Sequence, residues 1–454
     1  MKDPMTPPPF PQESQKISQT PTIKAIFLGL FTLLLLIPLA LIAYIVDERK
    51  DYAEESTTEI SNKVGGVQNL LSPVLQVPYT HRELGDNNTY TYSKSYYWLL
   101  PERLDIKGKN DVSIRKRGIY ETPIYTTKLQ IEGAWNVASL VKLDSTLDWA
   151  NAKIVLGLSD LKGLNSYVEM QVSGSTVKLA SDNVREFWEM QPYLDGTNQA
   201  TLGLLSAPYP IDSLQHMEML SFSCPLNYSG STALGFLPVG SETNVQLTSN
   251  WRTPSFVGSF LPDSSEMSKD GFDARWHIVE YNRGYGNILE EEDIYDKLAA
   301  ENFGVRLMQS VDQYTQTNRS IKYGILIIAL TFLAIFFIEL ILRRQRKVIS
   351  YFHYLLVGLA LTLFYTLLLS LSEIIGFFGA YALASLMTVL LIGFYFHAIL
   401  RNRRLSLVLS GIIIFLYLLV YILLQMTTYA LLAGSLGLFA ILAGIMYTTT
   451  KLIK

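Results

Sequence analysis

The sequence predicts a two-part fold: a membrane α-helical bundle of six transmembrane helices and a large, mainly β, sandwich-like periplasmic domain. Three observations point to it. One apolar run lies close to the N-terminus, and five more crowd the C-terminal part. The long stretch between them alternates Tyr-, Val- and Thr-rich segments with turn residues.

Composition sets the bounds. Of 454 residues, 49% are hydrophobic and only 17% charged, with a mean hydropathy of +0.22; that is apolar for a soluble chain. A net charge of −3 argues against a nucleic-acid partner and against a polyanionic tail. The single cysteine, Cys224, rules out an intramolecular disulfide, so an extracytoplasmic domain must stand on its own core. That suits a bacterial periplasm better than a secreted ectodomain.

Residues 1–22 carry Pro4, Pro7, Pro8, Pro9, Pro11 and Pro21 and read as a disordered cytoplasmic tail. Residues 23–46 follow as a signal-anchor helix. From residue 25 to 46 the run is almost unbroken, enough to cross a hydrocarbon core of about 30 Å. It is longer than a signal-peptide core, and no cleavage motif follows it. Pro38 is expected to give at most a kink, which helices in lipid tolerate.

Residues 47–320 are the predicted periplasmic domain. The first part, residues 51–69, is polar with helical spacing and continues or accompanies the anchor helix. Residues 90–100, 124–131, 167–172, 176–179, 217–223 and 244–249 then read as half-buried strands. Breaks are expected at Pro101, at residues 108–110, at Gly133, at Ser173-Gly174 and at residues 227–230. Strands at short, regular spacing predict a sandwich.

Residues 321–447 are the predicted five-helix bundle, with spans at about 321–342, 352–371, 377–400, 405–425 and 428–447; residues 448–454 form a cytoplasmic tail. Backbone groups in lipid must be bonded within their own segment, so each span is a helix. Arg343, Arg344, Arg346 and Lys347 follow the second span, Arg401, Arg403 and Arg404 the fourth, and Lys451 and Lys454 the last. These clusters share one side only if six helices are present and both termini are cytoplasmic. The expected location is the bacterial inner (plasma) membrane, multi-pass. Ala433, Gly437, Ala440 and Gly444 form a small-residue stripe, a signal for helix packing.

Reaction chemistry is scarce. His81, His216, His277, His353 and His397 have no ligand spacing, and no metalloprotease, Walker or nucleophile-elbow motif occurs. Gly284-Tyr285-Gly286 and Gly230-Ser231-Thr232 read as turns. No catalytic, cofactor-binding or metal residue is expected, and no cofactor.

Four residues stand out as functional candidates: Glu339, Glu373, Trp251 and Phe256. Charge within a bilayer is costly and often functional. Glu339 lies inside the second span, one turn before Arg343, so it is either an ion-pair partner or a proton site. Glu373 should sit at the outer interface, against the β domain or at the entrance of a pathway. His397 reads as an interface residue. Arg319, Lys322 and Tyr323 at the outer mouth of the second span read as anchors. Trp251 and Phe256 mark either a contact surface or a turn with core aromatics.

Several segments together resemble the CreD family of bacterial inner-membrane proteins, described also as colicin-tolerance or cell-envelope-integrity proteins. They are Asp47-Glu48-Arg49-Lys50-Asp51-Tyr52, Arg117-Gly118-Ile119-Tyr120, and Leu247-Thr248-Ser249-Asn250-Trp251 leading to Pro254-Ser255-Phe256-Val257-Gly258 and Phe260-Leu261-Pro262. Further on come Gly271-Phe272 with Trp276, Val311-Asp312-Gln313-Tyr314 with Lys322-Tyr323-Gly324-Ile325-Leu326, and Tyr354-Leu355-Leu356-Val357-Gly358-Leu359 with Leu371-Ser372-Glu373. The proline-rich head is longer than usual for the family, and residues 180–220 offer no match. The resemblance implies a link to envelope stress, colicin tolerance and β-lactam response, and it supplies no catalytic residues.

The leading expectation is therefore a non-enzymatic protein of cell-envelope integrity and stress response that acts through its periplasmic domain. Its partners would be membrane lipid and a second envelope protein. The rival from another class is a small transporter or lipid-handling protein that uses the C-terminal bundle.

Overall fold

Alternating burial along the strands builds one unit of the chain, residues 53–310; residues 1–52 and 311–454 make a second, helical unit. The computed structural model describes residues 21–84, 90–143, 147–181, 188–190, 200–211, 219–290, 297–298, 301–307, 313–343, 349–426 and 430–453.

Two sheets make the β unit. The first runs in the order β14 (Pro254–Gly258), β18 (Phe303–Leu307), β12 (Ala233–Phe236), β1 (Gln68–Leu84), β5 (Lys153–Leu158), β10 (Ala200–Pro208) and β8 (Ala180–Ser181). The long strand β1 changes partners along its length. Gln68–Leu70 pair in parallel with β12, and the far half, from Leu75 on, pairs antiparallel with β2 (Tyr90–Leu99). The second sheet runs β15 (Ser264–Ser268), β16 (Gly271–Val279), β13 (Glu242–Ser249), β3 (Arg103–Arg117), β4 (Tyr120–Asn136), β11 (Met219–Ser231), β6 (Glu169–Val172) and β7 (Ser175–Lys178).

Aromatic residues carry the packing between these sheets. The Trp276 ring on β16 lies 5.7 Å from Phe303 on β18 and 5.7 Å from Phe256 on β14. Tyr125 on β4 donates its hydroxyl to the Ala233 carbonyl on β12 at 2.7 Å, and burial pushes that phenol well above its ordinary pKa. Trp98, Trp135 and Trp276 are fully buried. This is the inner layer of a sandwich: the side chains at every second position of both sheets interdigitate.

Three expected breaks do not break the sheet. Residues 108–110 lie inside β3, Gly133 inside β4, and residues 227–230 inside β11. The glycines there make room for side chains instead of turning the chain. A Cβ on Gly133 would meet the Phe222 ring at 2.5 Å, and one on Gly230 would meet the Tyr125 hydroxyl at 2.5 Å. Phe222 can therefore stack on Trp135 with centroids 4.2 Å apart. Asn110 turns inward, and its side-chain oxygen accepts from Thr127 Oγ1 at 2.7 Å. At Ser173-Gly174 the break is real: both residues have positive φ, 46° and 88°, as a two-residue hairpin between β6 and β7 requires.

Cys224 faces the core from β11, and burial raises its thiol to about 12. At pH 8 it stays protonated, and only the thiolate is nucleophilic. Iodoacetamide is expected to leave folded protein unlabelled and to react once denaturant opens the β unit. Labelling of folded protein at the rate of a free peptide would contradict this burial.

In the helical unit the anchor forms Pro21–Leu34 and Leu36–Val64, with one turn residue, Leu35, between them. Pro38 lies just beyond that irregularity and lacks the N–H that would bond back to residue 34. The polar stretch after the anchor does continue the helix, as far as Val64. Gln313–Lys322 and Gly324–Arg343 follow, then Tyr351–Leu400, Arg403–Gln425 and Ala430–Ile453. The last helix runs through six of the seven residues expected to be a tail.

Among the described residues four helices are long and apolar enough to cross a membrane, and residues Leu432–Gly444 form a shorter apolar helical stretch. The expected spans at 352–371 and 377–400 fall within one 50-residue element that is non-helical at Gly376, with φ 76° and ψ 165°. The Arg401–Asn402 turn separates the next pair: Arg401 is left-handed, and Asn402 caps the following helix by accepting from the Arg404 N–H at 3.1 Å. Of the small-residue stripe, Gly437 faces the preceding helix, where an added Cβ would lie 3.5 Å from the Leu419 side chain.

Candidate functional site

Among the described residues, buried charge in the helical unit gathers at one place. Glu339 sits four residues before the end of helix Gly324–Arg343, and Lys24 sits near the start of the anchor; they are 1% and 2% exposed. Lys24 Nζ lies 2.7 Å from each carboxylate oxygen of Glu339 and also donates to the Ile349 carbonyl. Tyr354, in the first turn of helix Tyr351–Leu400, donates its hydroxyl to Glu339 Oε2 at 2.9 Å. The ammonium lies 5.1 Å from the Tyr351 ring centroid and 5.2 Å from that of Tyr354, a cation–π geometry.

The cluster joins the anchor helix to two later helices, Lys24 lying 315 residues from Glu339 and Tyr354 only 15. Chemically it is a closed ion pair: the lysine protons point at a carboxylate and a carbonyl, and the carboxylate holds a lysine and a tyrosine. Such satisfaction is what a charge pair needs when water is absent. Sequence reasoning placed Glu339 beside Arg343, whose side chain lies outside the described residues; the partners described are Lys24 and Tyr354. Lys24 went unremarked because a basic residue just before an apolar run reads as a topology signal.

Next to it, His353 Nδ1 and the Tyr395 hydroxyl are 2.6 Å apart, tying the two ends of the Tyr351–Leu400 element together. His397 is exposed. Glu373 is half-buried and accepts from the Tyr314 hydroxyl at 3.1 Å, Tyr314 being a buried residue of helix Gln313–Lys322. On that helix Asn318 donates to Asp47, next to the anchor. Glu339 and Glu373 therefore occupy separate clusters.

In the β unit, Trp251 and Phe256 are half-buried and pack against the core. The Trp251 indole N–H donates to the Thr253 carbonyl at 3.1 Å. The Phe256 ring meets Phe272 and Trp276 edge-on, at 6.0 and 5.7 Å. No group of three or more His, Cys, Asp or Glu side chains with metal-holding geometry occurs among the described residues.

A polytopic chain with a buried internal ion pair, carrying a large β sandwich between its first and second apolar helices, defines a class of integral membrane protein. The profile of the family described as "Inner membrane protein CreD" matches residues 20–453, and the chain belongs to that family. It is similar to Inner membrane protein CreD of Escherichia coli (strain K12), with 32% identity over 427 residues that cover 92% of this chain and 90% of that protein.

Proposed function

We propose that this chain is a non-enzymatic protein of cell-envelope integrity, acting through its β unit on the extracytoplasmic side of the inner membrane. One observation carries the reading. The acidic groups of the helical unit described above are held by partners inside the protein, Glu339 by Lys24 and Tyr354, Glu373 by Tyr314. Charge-coupled transport needs buried groups that exchange partners or protons at the midplane. The β unit is left as the part with surface to offer.

We assign six spans, with both termini cytoplasmic. The Tyr351–Leu400 helix of 50 residues would be about 75 Å long if straight, more than twice the ~30 Å of a hydrocarbon core. Its break at Gly376 supports two spans. Helix Ala430–Ile453, with 24 residues, supplies the sixth. The clusters at Arg343–Lys347, Arg401–Arg404 and Lys451–Lys454 then share the cytoplasmic side.

Competition tests the functional reading. Residues 53–310, exported to the periplasm beside the full chain and shown to be folded by near-ultraviolet dichroism, are expected to interfere with the envelope phenotype of the full chain. A folded competitor at equal abundance that leaves the phenotype untouched would sink the reading in favour of the helical unit. The Glu373→Gln variant is the companion measurement, expected to keep the phenotype.

A further inference from the structure

The outward face of the second sheet holds an open groove of about 480 Å³ lined by Lys107, Lys109, Lys128, Gln130, Gln246 and Thr248. The sheet register fixes how these meet. Lys109 stands directly opposite Lys128 across β3 and β4, and Lys107 stands opposite Gln130. On the other side of β3, Gln246 and Thr248 of β13 stand beside Lys107 and Lys109. Cross-strand Cβ atoms lie about 5 Å apart, and like charges at directly opposed positions destabilise a sheet.

Countercharge relieves the cluster only in part. Lys109 comes within 3.8 Å of Asp111, both exposed. Lys107 and Lys128 have no hydrogen bond or ion pair among the described residues. Carboxylates border the groove without pairing its Lys107 or Lys128: Glu132 accepts from Gln130 at 3.5 Å. Asp105 takes Arg103 at 2.7 Å and Asn244 at 3.1 Å, and Asp273 takes Gln246 at 3.0 Å and Arg275 at 3.5 Å. Three lysines thus line a groove, and two of them, Lys107 and Lys128, have no carboxylate partner among the described residues.

We propose that this groove is an anion site that takes a phosphate group; the proposal rests on the reading that the β unit is the working part. Lysines bind phosphate as point charges, and several of them on one face suit a multiply charged phosphate more than a singly charged carboxylate. The groove is open and its rim polar, so a phosphate carried on a larger molecule can enter without burying that carrier. Two carriers share this chemistry: a soluble phosphate compound and a lipid headgroup.

The test uses the full chain in phosphatidylcholine nanodiscs. One arm titrates inorganic pyrophosphate, and the other adds sedimentable vesicles of phosphatidylcholine with phosphatidic acid. The Lys107→Gln/Lys128→Gln variant is compared with Lys142→Gln/Lys162→Gln, exposed lysines elsewhere on the unit. Saturable pyrophosphate binding, weakened tenfold or more by salt and by the groove variant but not by the control, supports the site with a soluble ligand. Recruitment to phosphatidic-acid vesicles with the same variant dependence, and no pyrophosphate binding, supports it with a lipid headgroup. Binding in neither arm, or equal losses in both variants, overturns it. Because Lys128→Gln removes the charge directly opposed to Lys109, the groove variant is expected to melt no lower than the parent, which separates lost binding from lost folding. A competitor domain that interferes with the phenotype while the chain binds no phosphate overturns the groove alone and leaves the functional reading standing.

Discussion

Replacing Glu339 by Leu is expected to destabilise the helical unit by about 3–5 kcal/mol, the cost of leaving a buried charge without its partner. Lys24 is 2% exposed and would lose the carboxylate that lies 2.7 Å from its ammonium, keeping the Ile349 carbonyl and two tyrosine rings beside it. Lys24→Met should cost a similar amount by stranding the carboxylate against Tyr354. The informative variant is the pair. Lys24→Met/Glu339→Leu removes both charges together, and buried ion pairs replaced by apolar residues of similar volume are often neutral or stabilising. The double variant is therefore expected to recover most of the loss in a thermal-unfolding series of detergent-solubilised full chain. Adding Tyr354→Phe removes the hydroxyl that donates to Glu339, and is expected to cost little further in the double variant. Additive losses from the two single variants would mean that the residues act separately, and the closed pair would no longer argue against a transport role.

This cluster also shows where sequence reading stops. The spans were legible because burial in lipid is written into composition: residues 25–46 and the C-terminal runs are apolar end to end. The strands near residues 90–100 and 244–249 were legible because their apolar positions alternate, as along β13, where Thr243, Val245, Leu247 and Ser249 are buried. Glu339 was legible as a lone acid in an apolar run. Its partner was not, because Lys24 is 315 positions away and pairing at that separation leaves no periodic trace. The glycines failed for a related reason. Glycine within a few residues of polar sequence signals a turn, yet Gly133 and Gly230 are spaces reserved for Phe222 and Tyr125, residues that only the strand register brings opposite. The lysine groove depends on register too: Lys109 and Lys128 are unremarkable until β3 and β4 pair.

Gly271→Ala is expected to be the most damaging single-methyl change in the β unit, at about 3 kcal/mol or more from overpacking and backbone strain together. Gly271 opens β16 with φ 143°, and a Cβ built on it lies 1.7 Å from the Ser249 carbonyl oxygen and 2.8 Å from Asn250 Cα. Both obstacles are backbone, so no rotamer change relieves them. Relief would require the end of β13 to move away from β16, breaking the Ser249–Phe272 register. That shift would draw Phe272 and Trp276 out of their contacts with Phe256 and Phe303. The segment Gly271-Phe272 with Trp276, which carries part of the family resemblance, thus has a packing explanation that needs no ligand. Gly174→Ala is the control: φ is 88°, but nothing lies within 4 Å of the added carbon. Only the left-handed backbone then opposes it, at about 1–2 kcal/mol. Thermal unfolding of the full chain followed by tryptophan fluorescence reads both, and equal losses would show that backbone conformation, and not the close approach of β13, fixes glycine at position 271.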